Sequence, residues 1–279
     1  MDVISSLSNR RVRDAVRLRN GRHRRRRQQF LVDGAREMGR AIDSGLTVLE
    51  LFVSETALAS GKTDRQSAAT ARLISRAEKS GSLTCLADPV FAKLCFGDRN
   101  EGLVGRFATP DRSLQRLALP AEPLVVVLDS LEKPGNIGAV FRTADAAGVD
   151  AVLCAEMVGD LFNPNLIRAS LGTVFAMPSA IAPRPEIQQW LRSRSIRPLA
   201  ARVEAGNPLW ESQLTGPLAL VLGTEAEGLD ASWNCAGIRV PMAGIADSLN
   251  VSVTAAVLIF EAMRQRSIAS EYPHRSENR

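Results

Sequence analysis

The residues best suited to carry chemistry lie in the loop Pro241–Asn250, between a short apolar strand predicted over Ile238–Val240 and a long segment with apolar residues at helical spacing. A helix leaves its first N–H groups without intrahelical partners, so its start suits a capping side chain or a bound ligand. Ser248 is the predicted N-cap residue, and Asn250 adds an amide to the same polar cluster. A capped helix packed on a sheet would give the same pattern without a ligand.

Two further glycine-bearing loops follow apolar runs. Leu124–Asp129 precedes Ser130–Gly138, and Leu218–Leu222 precedes Gly223–Gly228. Apolar runs without polar alternation are typical of strands buried on both faces of a parallel sheet. Ligands in open α/β sheets bind beyond the carboxyl ends of the strands. We therefore expect the three loops to meet at one site.

The rarity of histidine limits the chemistry. His23 and His274 lie near the two ends of the chain, which argues against a Ser-His-Asp triad and a histidine-rich zinc site. The acidic residues show no ligand clustering, so no metal site is predicted. The four cysteines have no C-x-x-C spacing, which indicates free thiols in a reducing cytoplasm. No apolar run is long enough to cross a membrane, and Met1–Asn20 is too rich in arginine for a secretory signal.

Positive charge is concentrated at the amino terminus. Residues 1–27 contain ten arginines against Asp2 and Asp14, a net charge of +8, which leaves −3 for the rest of the chain. A basic segment on a nearly neutral body predicts contact with the phosphates of a nucleic acid. The alternatives are a solvated, partly disordered tail or a membrane-surface segment, for which the bulky apolar residues are missing.

The chain of 279 residues is long enough for two domains. We predict a small α/β domain over residues 1–107, a linker or connecting helix over 108–123, a second α/β domain over 124–268 and a flexible tail over 269–279. In the first domain the predicted strands are Phe30–Val32, Leu49–Val53, Leu83–Leu86 and Leu103–Phe107, and the predicted helices are Ala35–Ser44, Ala68–Lys79 and Pro89–Cys95.

The second domain resembles the SpoU/TrmH family of S-adenosylmethionine-dependent RNA 2′-O-ribose methyltransferases in the SPOUT superfamily. Three motifs carry the resemblance: EKPGNIGAVFRTADAAG (Glu132–Gly148), LVLGTEAEGL (Leu220–Leu229) and IRVPMAGIADSLNVSVTAAVLIFE (Ile238–Glu261). The stretch NPNLIRASLGTVFAMP (Asn163–Pro178) also fits, and the first domain is similar to an L30e-like RNA-binding domain. The resemblance implies a parallel sheet with helices on both faces and a carboxy-terminal trefoil knot, which is otherwise essentially absent from proteins.

The resemblance also implies functional residues. Gly223, Val240 and Leu249 are expected to line the pocket for S-adenosylmethionine, with Leu222 and Pro241 flanking it. Arg142, Asn136, Glu225, Ser248 and Asn250 match the family's catalytic positions. Asn136 and Glu225 could hydrogen-bond each other and fix their two loops. Ser248 and Asn250 could orient the ribose or support Arg142. Arg22, Arg24, Arg25, Arg26, Arg27 and Arg168 are the predicted RNA contacts, Arg168 being equally compatible with a solvated helix charge.

Arg142 is the first candidate for catalysis. A guanidinium has a pKa above about 12, which makes a role as a general base demanding. We favour an arginine that binds phosphate and stabilises the forming alkoxide. The alternative is a structural arginine paired with Asp145 or Asp129.

These expectations together predict a homodimeric enzyme that methylates a ribose 2′-hydroxyl of structured RNA. Ribosomal RNA, most of all 23S rRNA, is favoured over transfer RNA, and a housekeeping and an antibiotic-resistance role both remain open. A non-catalytic RNA-binding or ribosome-assembly factor is the alternative from another class, and the retained catalytic positions argue against it.

Overall fold

Strands and helices alternate along the chain, as the apolar runs and the helical spacing predict. The computed structural model of the protein describes residues 2–59, 65–96, 101–224 and 228–271. The strands are β1 (Val3–Ile4), β2 (Gln29–Asp33), β3 (Val48–Ser54), β4 (Leu83–Leu86), β5 (Leu103–Ala108), β6 (Leu124–Asp129), β7 (Ala151–Ala155), β8 (Ser179–Ala182), β9 (Arg197–Ala201), β10 (Leu218–Leu222) and β11 (Gly237–Ile238). The helices are α1 (Arg10–Arg17), α2 (Gly21–Arg27), α3 (Ala35–Asp43), α4 (Glu55–Ala59), α5 (Arg65–Lys79), α6 (Asp88–Phe91), α7 (Pro134–Ala146), α8 (Pro164–Ala169), α9 (Thr173–Ala176), α10 (Arg184–Ser193) and α11 (Val251–Glu271).

The contacts divide the chain into two units, and the first consists of Met1–Pro110 together with Gly159–Ala176. Its sheet has the order β1-β4-β3-β5-β2, in which β5 runs antiparallel to β2 and β3 and the other pairs are parallel. The amino-terminal segment is part of this unit, because Val12 and Ala15 of α1 are buried in its core. The disordered-tail alternative for residues 1–27 is therefore wrong.

Four phenylalanine rings join the segment Gly159–Ala176 to the rest of the first unit. Phe30 of β2 stacks on Phe162 with 4.3 Å between the ring centroids and on Phe175 with 5.9 Å. Phe107 of β5 lies 5.8 Å from Phe30 on the same stack. Most of the family-like stretch Asn163–Pro178 thus belongs to the core of the first unit, although it follows β7 in sequence. The domain limits at residues 107 and 124 stay a prediction.

The second unit consists of Asp111–Val158 and Met177–Arg279. Its sheet has the order β11-β9-β10-β6-β7-β8 and is parallel throughout. All residues of β6 and β10 are buried, which confirms the prediction from their uninterrupted apolar runs. Helix α10 packs on one face of the sheet through Ile187 and Leu191, and α7 packs against α11.

Two predictions about the second unit change in detail. The predicted linker is packed, because Leu114 in a 3₁₀ turn (Leu114–Arg116) belongs to the core of this unit. The last strand is Gly237–Ile238 and not Ile238–Val240.

The order of the strands does not itself reveal the trefoil knot, which stays a prediction. None of the described helices is long and apolar enough to cross a membrane.

Candidate active site

A cavity of about 350 Å³ lies where β9, β10 and β11 end. Three stretches form its wall: the residues after β9, the loop after β10, and the chain from β11 into the first turns of α11. The lining residues are Ala201–Glu204, Leu222–Thr224, Gly228, Leu229, Ile238, Val240, Met242, Asp247–Leu249, Val251, Thr254 and Leu258. Two of the three loops predicted to meet beyond the strand ends, Gly223–Gly228 and Pro241–Asn250, contribute to this wall, whereas the loop Ser130–Gly138 contributes no lining residue.

Four of the five predicted cofactor residues line this cavity, namely Leu222, Gly223, Val240 and Leu249. Pro241 lies between the lining residues Val240 and Met242, but it is exposed and outside the lining. The sequence did not reveal the contribution of Ala201–Glu204. Strand β9 is only five residues long, contains a proline and begins with an arginine, so it carried little signal of a buried strand.

The loop after β10 is closed by its own backbone. Thr224 and Gly228 exchange two hydrogen bonds of 3.1 Å, each N–H donating to the other residue's carbonyl. A Cβ on Gly223 would lie 2.1 Å from the carbonyl oxygen of Gly228, so the backbones can approach this closely only with glycine at position 223. Glu225, the predicted catalytic residue of this loop, lies outside the described residues.

Asn136 and Asn250 lie together, with Asn250 Nδ2 donating to Asn136 Oδ1 at 3.4 Å. This contact joins the start of α7 to the start of α11.

Asn250 Oδ1 also accepts from the backbone N–H of Ser252 at 3.0 Å and from its hydroxyl at 2.7 Å. Asn250 is therefore the N-cap of α11. The prediction that Ser248 caps this helix is wrong, because α11 begins at Val251 and Ser248 is three residues further away. Ser248 instead lines the cavity.

Arg142 lies on α7, two turns after Asn136, and is exposed. Within the described residues it forms no ion pair, so the alternative of a structural arginine paired with Asp129 or Asp145 finds no support. Asp129 is occupied elsewhere: its carboxylate accepts from Arg184 Nε at 2.8 Å and from Trp233 Nε1 at 2.6 Å. The hydrogen bond from Arg184 to Asp129 and the negative charges of Asp129, Asp230 and Glu156 raise the pKa of the Arg184 guanidinium, although its own burial acts in the opposite direction. Asp129 thus fixes the segment after the β10 loop.

The predicted RNA contacts in α2 divide into two groups. Arg22, Arg25, Arg26 and Arg27 are exposed. Arg24 is only 5% exposed, and its guanidinium bonds to the Asp160 carboxylate, at 2.8 Å from Nη2, and to the carbonyls of Leu18 and Arg19. The prediction that Arg24 contacts RNA is therefore wrong, because its donors hold the segment after residue 159 inside the first unit.

Arg168 also has a partner inside the first unit. Its Nη2 lies 3.6 Å from Asp33, and its side chain is 34% exposed, so it is neither fully solvated nor fully buried. Burial raises the pKa of the Asp33 carboxyl to about 6, although the N–H of Phe96 and the charge of Arg168 act in the opposite direction.

The profile of the SpoU rRNA Methylase family matches residues 123–260, and that of the MRM3-like substrate binding domain matches residues 9–105. A 23S rRNA (uridine(2479)-2′-O)-methyltransferase of Streptomyces viridochromogenes is 30% identical, over 89% of this chain and 87% of that protein. The 23S rRNA (guanosine(2553)-2′-O)-methyltransferase RlmP of Bacillus subtilis is 28% identical, over 93% and 98%. The crystal structure of the SpoU methyltransferase AviRb from Streptomyces viridochromogenes, in complex with AdoMet, superposes with a TM-score of 0.80 at 26% identity, over 92% of this chain and 98% of that one.

The chain belongs to the SpoU family of RNA methyltransferases. It is an RNA 2′-O-ribose methyltransferase that uses S-adenosylmethionine. The cavity fits this cofactor in size, since small-molecule sites usually enclose 300–1,000 Å³. Its wall combines apolar side chains such as Leu222 and Val240 with backbone groups of two loops, a composition that suits an adenosine carrying an amino-acid chain.

Proposed function

We propose that this protein methylates a ribose 2′-hydroxyl of 23S rRNA and that the cavity beyond β9, β10 and β11 binds the S-adenosylmethionine. The relatives from Streptomyces viridochromogenes and Bacillus subtilis are both 23S rRNA 2′-O-methyltransferases, which supports this substrate. The observation that carries the proposal is the contact between Asn136 and Asn250. It ties α7, the helix with the exposed Arg142, to the loop that lines the cavity.

The bound cofactor would supply a methyl group on a sulfonium, and this chain must make the hydroxyl a competent nucleophile. A 2′-hydroxyl attacks poorly until its proton leaves, and negative charge then develops on its oxygen. A guanidinium is a poor proton acceptor, so Arg142 serves by holding an RNA phosphate and stabilising that charge rather than by accepting the proton. It is exposed and forms no ion pair within the described residues, which leaves its donors available to RNA.

The neighbouring polar residues have positioning roles in this proposal. Asn250 caps α11 and contacts Asn136, so it fixes the start of α11 relative to α7. Ser248 lines the cavity and can hydrogen-bond the ribose or the cofactor. Glu225 retains its proposed role beside Asn136, on the family resemblance alone.

The exposed arginines of α2 are the proposed phosphate contacts. Arg22, Arg25 and Arg26 carry no ion pair within the described residues, whereas Arg27 lies 3.8 Å from Asp14. A positive surface without neutralising carboxylates attracts RNA and releases its counterions on binding. The profile match to a substrate binding domain over residues 9–105 supports this location.

We further propose a homodimer formed through the second unit, which acts in the cytoplasm where ribosomal RNA is found. Val253 and Phe260 of α11 are 47% and 44% exposed and are seven residues apart, so they lie on one helix face. An exposed apolar face of this kind favours a protein contact. Light scattering on the full chain and on Phe260→Glu tests it: the variant should have half the mass, and a monomeric wild type would contradict the dimer.

The substrate proposal is tested by incubating the purified protein with methyl-labelled S-adenosylmethionine and unmodified RNA. Separate reactions contain free 23S rRNA, assembled large ribosomal subunits and transfer RNA, and nuclease mapping locates the label. We expect label on one 2′-oxygen of 23S rRNA, free or assembled. Label on transfer RNA alone would contradict the substrate, and a preparation that binds no cofactor would contradict the assigned cavity.

The RNA surface is tested on the full chain with Arg25→Gln/Arg26→Gln, because deletion of residues 1–27 would remove part of a core. The matched control is Arg192→Gln, an exposed arginine of α10 in the second unit. If each arginine contacts one phosphate, the plot of the logarithm of the RNA association constant against the logarithm of the salt concentration becomes less steep by about 0.7–0.9 for each arginine removed. An unchanged slope in a filter-binding titration would exclude these two arginines from the interface.

A further inference from the structure

The charged side chains of the described cavity wall form a distinctive set, and two of the three lie outside the family motifs. Within the described lining, the charged side chains are Arg202 and Glu204, which follow β9, and Asp247, which precedes α11. The described wall therefore presents one positive and two negative charges. No other lining residue in the described stretches is ionised at neutral pH.

S-adenosylmethionine carries the complementary set of charges. Its methionine portion has one carboxylate and one ammonium group, and the methyl group is attached to a positive sulfonium. The cofactor thus has one negative and two positive charges, so each charge of the wall has a counterpart of opposite sign. Charge-assisted hydrogen bonds are about twice as strong as neutral ones, and guanidinium matches carboxylate best because its donors form a planar fork.

One edge of the Arg202 guanidinium is hydrogen-bonded to the protein, which holds the side chain at the cavity wall. Its Nη2 donates to the carbonyl oxygen of Trp233 at 2.8 Å. Its Nε is buried and has no hydrogen-bond partner among the described residues. No described carboxylate forms an ion pair with Arg202 either, so its positive charge is not neutralised by the described part of the protein. Arg202 as a whole is partly buried, and a partly buried cation without a counter-charge favours a ligand that supplies one.

Trp233 in turn is fixed by the buried carboxylate at the end of β6. Its indole Nε1 donates to Asp129 at 2.6 Å, and its side chain is only 2% exposed. Asp129 also accepts two hydrogen bonds from Arg184, which pairs with Asp230 at 3.2 Å. The carbonyl that holds Arg202 therefore belongs to a residue anchored on the central part of the sheet. The arginine is held in place before any ligand binds, which lowers the entropic cost of binding.

We infer that Arg202 is a cofactor-binding residue that pairs with the carboxylate of the methionine portion of S-adenosylmethionine, and that Trp233 and Asp129 position it. The inference rests on the proposed function, which assigns this cavity to the cofactor. It adds a recognition element that lies outside the three family motifs and that acts on the amino-acid end of the cofactor, not on the adenosine.

The test compares two ligands that share the adenosine and differ in the amino-acid chain. Isothermal titration measures the binding of S-adenosylmethionine and of 5′-methylthioadenosine to wild type, Arg202→Met and Arg202→Lys. The second ligand is a neutral thioether, which lacks the carboxylate, the ammonium group and the sulfonium charge. Methionine keeps most of the volume of the side chain and removes the charge. Arg192→Met is the matched control, because Arg192 lies on α10 outside the cavity lining.

Arg202→Met should raise the Kd of S-adenosylmethionine about tenfold or more, the effect of losing a hydrogen bond to a charged group. The Kd of 5′-methylthioadenosine should stay unchanged, and Arg202→Lys should restore part of the affinity. Equal weakening of both ligands would show that Arg202 only supports the wall, and no weakening of either would exclude it from binding; both results overturn the inference. If wild type binds 5′-methylthioadenosine but not S-adenosylmethionine, the assignment of the cavity to this cofactor fails, and the inference with it.

Discussion

Replacing Arg142 by alanine separates catalysis from folding more cleanly than any other change in the site. The side chain is exposed on α7 and forms no ion pair within the described residues, so nothing in the described core depends on it. Alanine and arginine both favour helices, and surface substitutions of this kind change stability by less than about 0.5 kcal/mol. Arg142 is also outside the cavity lining, so the Kd of S-adenosylmethionine should stay at its wild-type value.

The turnover number should respond very differently. Loss of one donor to a developing oxyanion lowers kcat about 100- to 1,000-fold in enzymes where this has been measured, which corresponds to about 2.7–4 kcal/mol of transition-state stabilisation. Single-turnover transfer of labelled methyl to 23S rRNA measures the effect, with Arg192→Ala as the matched control. Arg142→Lys keeps the charge but loses the planar fork, so we expect an intermediate rate. Wild-type kcat in Arg142→Ala would refute the proposed role, and so would equal losses in the variant and the control.

Three further changes test the neighbouring features. Asn250→Ala should lose about 1 kcal/mol of stability because it removes the N-cap, whereas Asn250→Ser should keep the cap. Both variants should lower kcat, because neither side chain reaches Asn136. Urea titration measures the loss of stability, and turnover assays measure the loss of activity. Arg24→Ala should destabilise the protein by about 3 kcal/mol, since it leaves Asp160 without its partner, while Arg25→Ala should be neutral in the same titration. The pKa of the Asp33 carboxyl is about 6 in the folded protein, whereas its ordinary value is 3.8. The folded state therefore binds this proton more tightly than the unfolded state. The stability of the protein should fall as the pH rises from about 4 to 6. The fall amounts to about 3 kcal/mol, and Asp33→Asn should remove it from the pH profile of the unfolding midpoint.

The parallel sheet was predictable because burial on both faces leaves a direct trace in the sequence. Leu124–Leu128 and Leu218–Leu222 are uninterrupted apolar runs, and both lie in buried central strands. Edge and short strands leave weaker traces, as in β9, where Arg197 and Pro198 interrupt the pattern. The wall residues after β9 were missed for this reason.

Within the site, the residue types were easier to predict than their exact positions. The polar cluster at the start of α11 was expected, but the N-cap is Asn250 and not Ser248, because the helix begins at Val251, two residues later than a cap at Ser248 would place it. Both residues are good N-caps, so local preference alone could not choose between them. Likewise, nothing in the run Arg24–Arg27 distinguishes the one arginine that is buried. Its partner, Asp160, is 136 residues away in sequence, and only the folded first unit brings the two together.

The segment Gly159–Ala176 changes how the two halves of the enzyme should be studied. In sequence it lies between β7 and β8 of the parallel sheet, yet Phe162 and Phe175 complete the aromatic stack of the first unit and Asp160 holds Arg24. Removing one buried phenylalanine side chain usually costs about 3–5 kcal/mol, which is a large part of the stability of a small domain. A fragment that ends near residue 107 would lose two such rings and leave Arg24 buried without its carboxylate. The RNA affinity of the first unit is therefore meaningful only when it is measured on substitutions in the full chain, since a weak fragment would report incomplete folding and not a weak RNA surface.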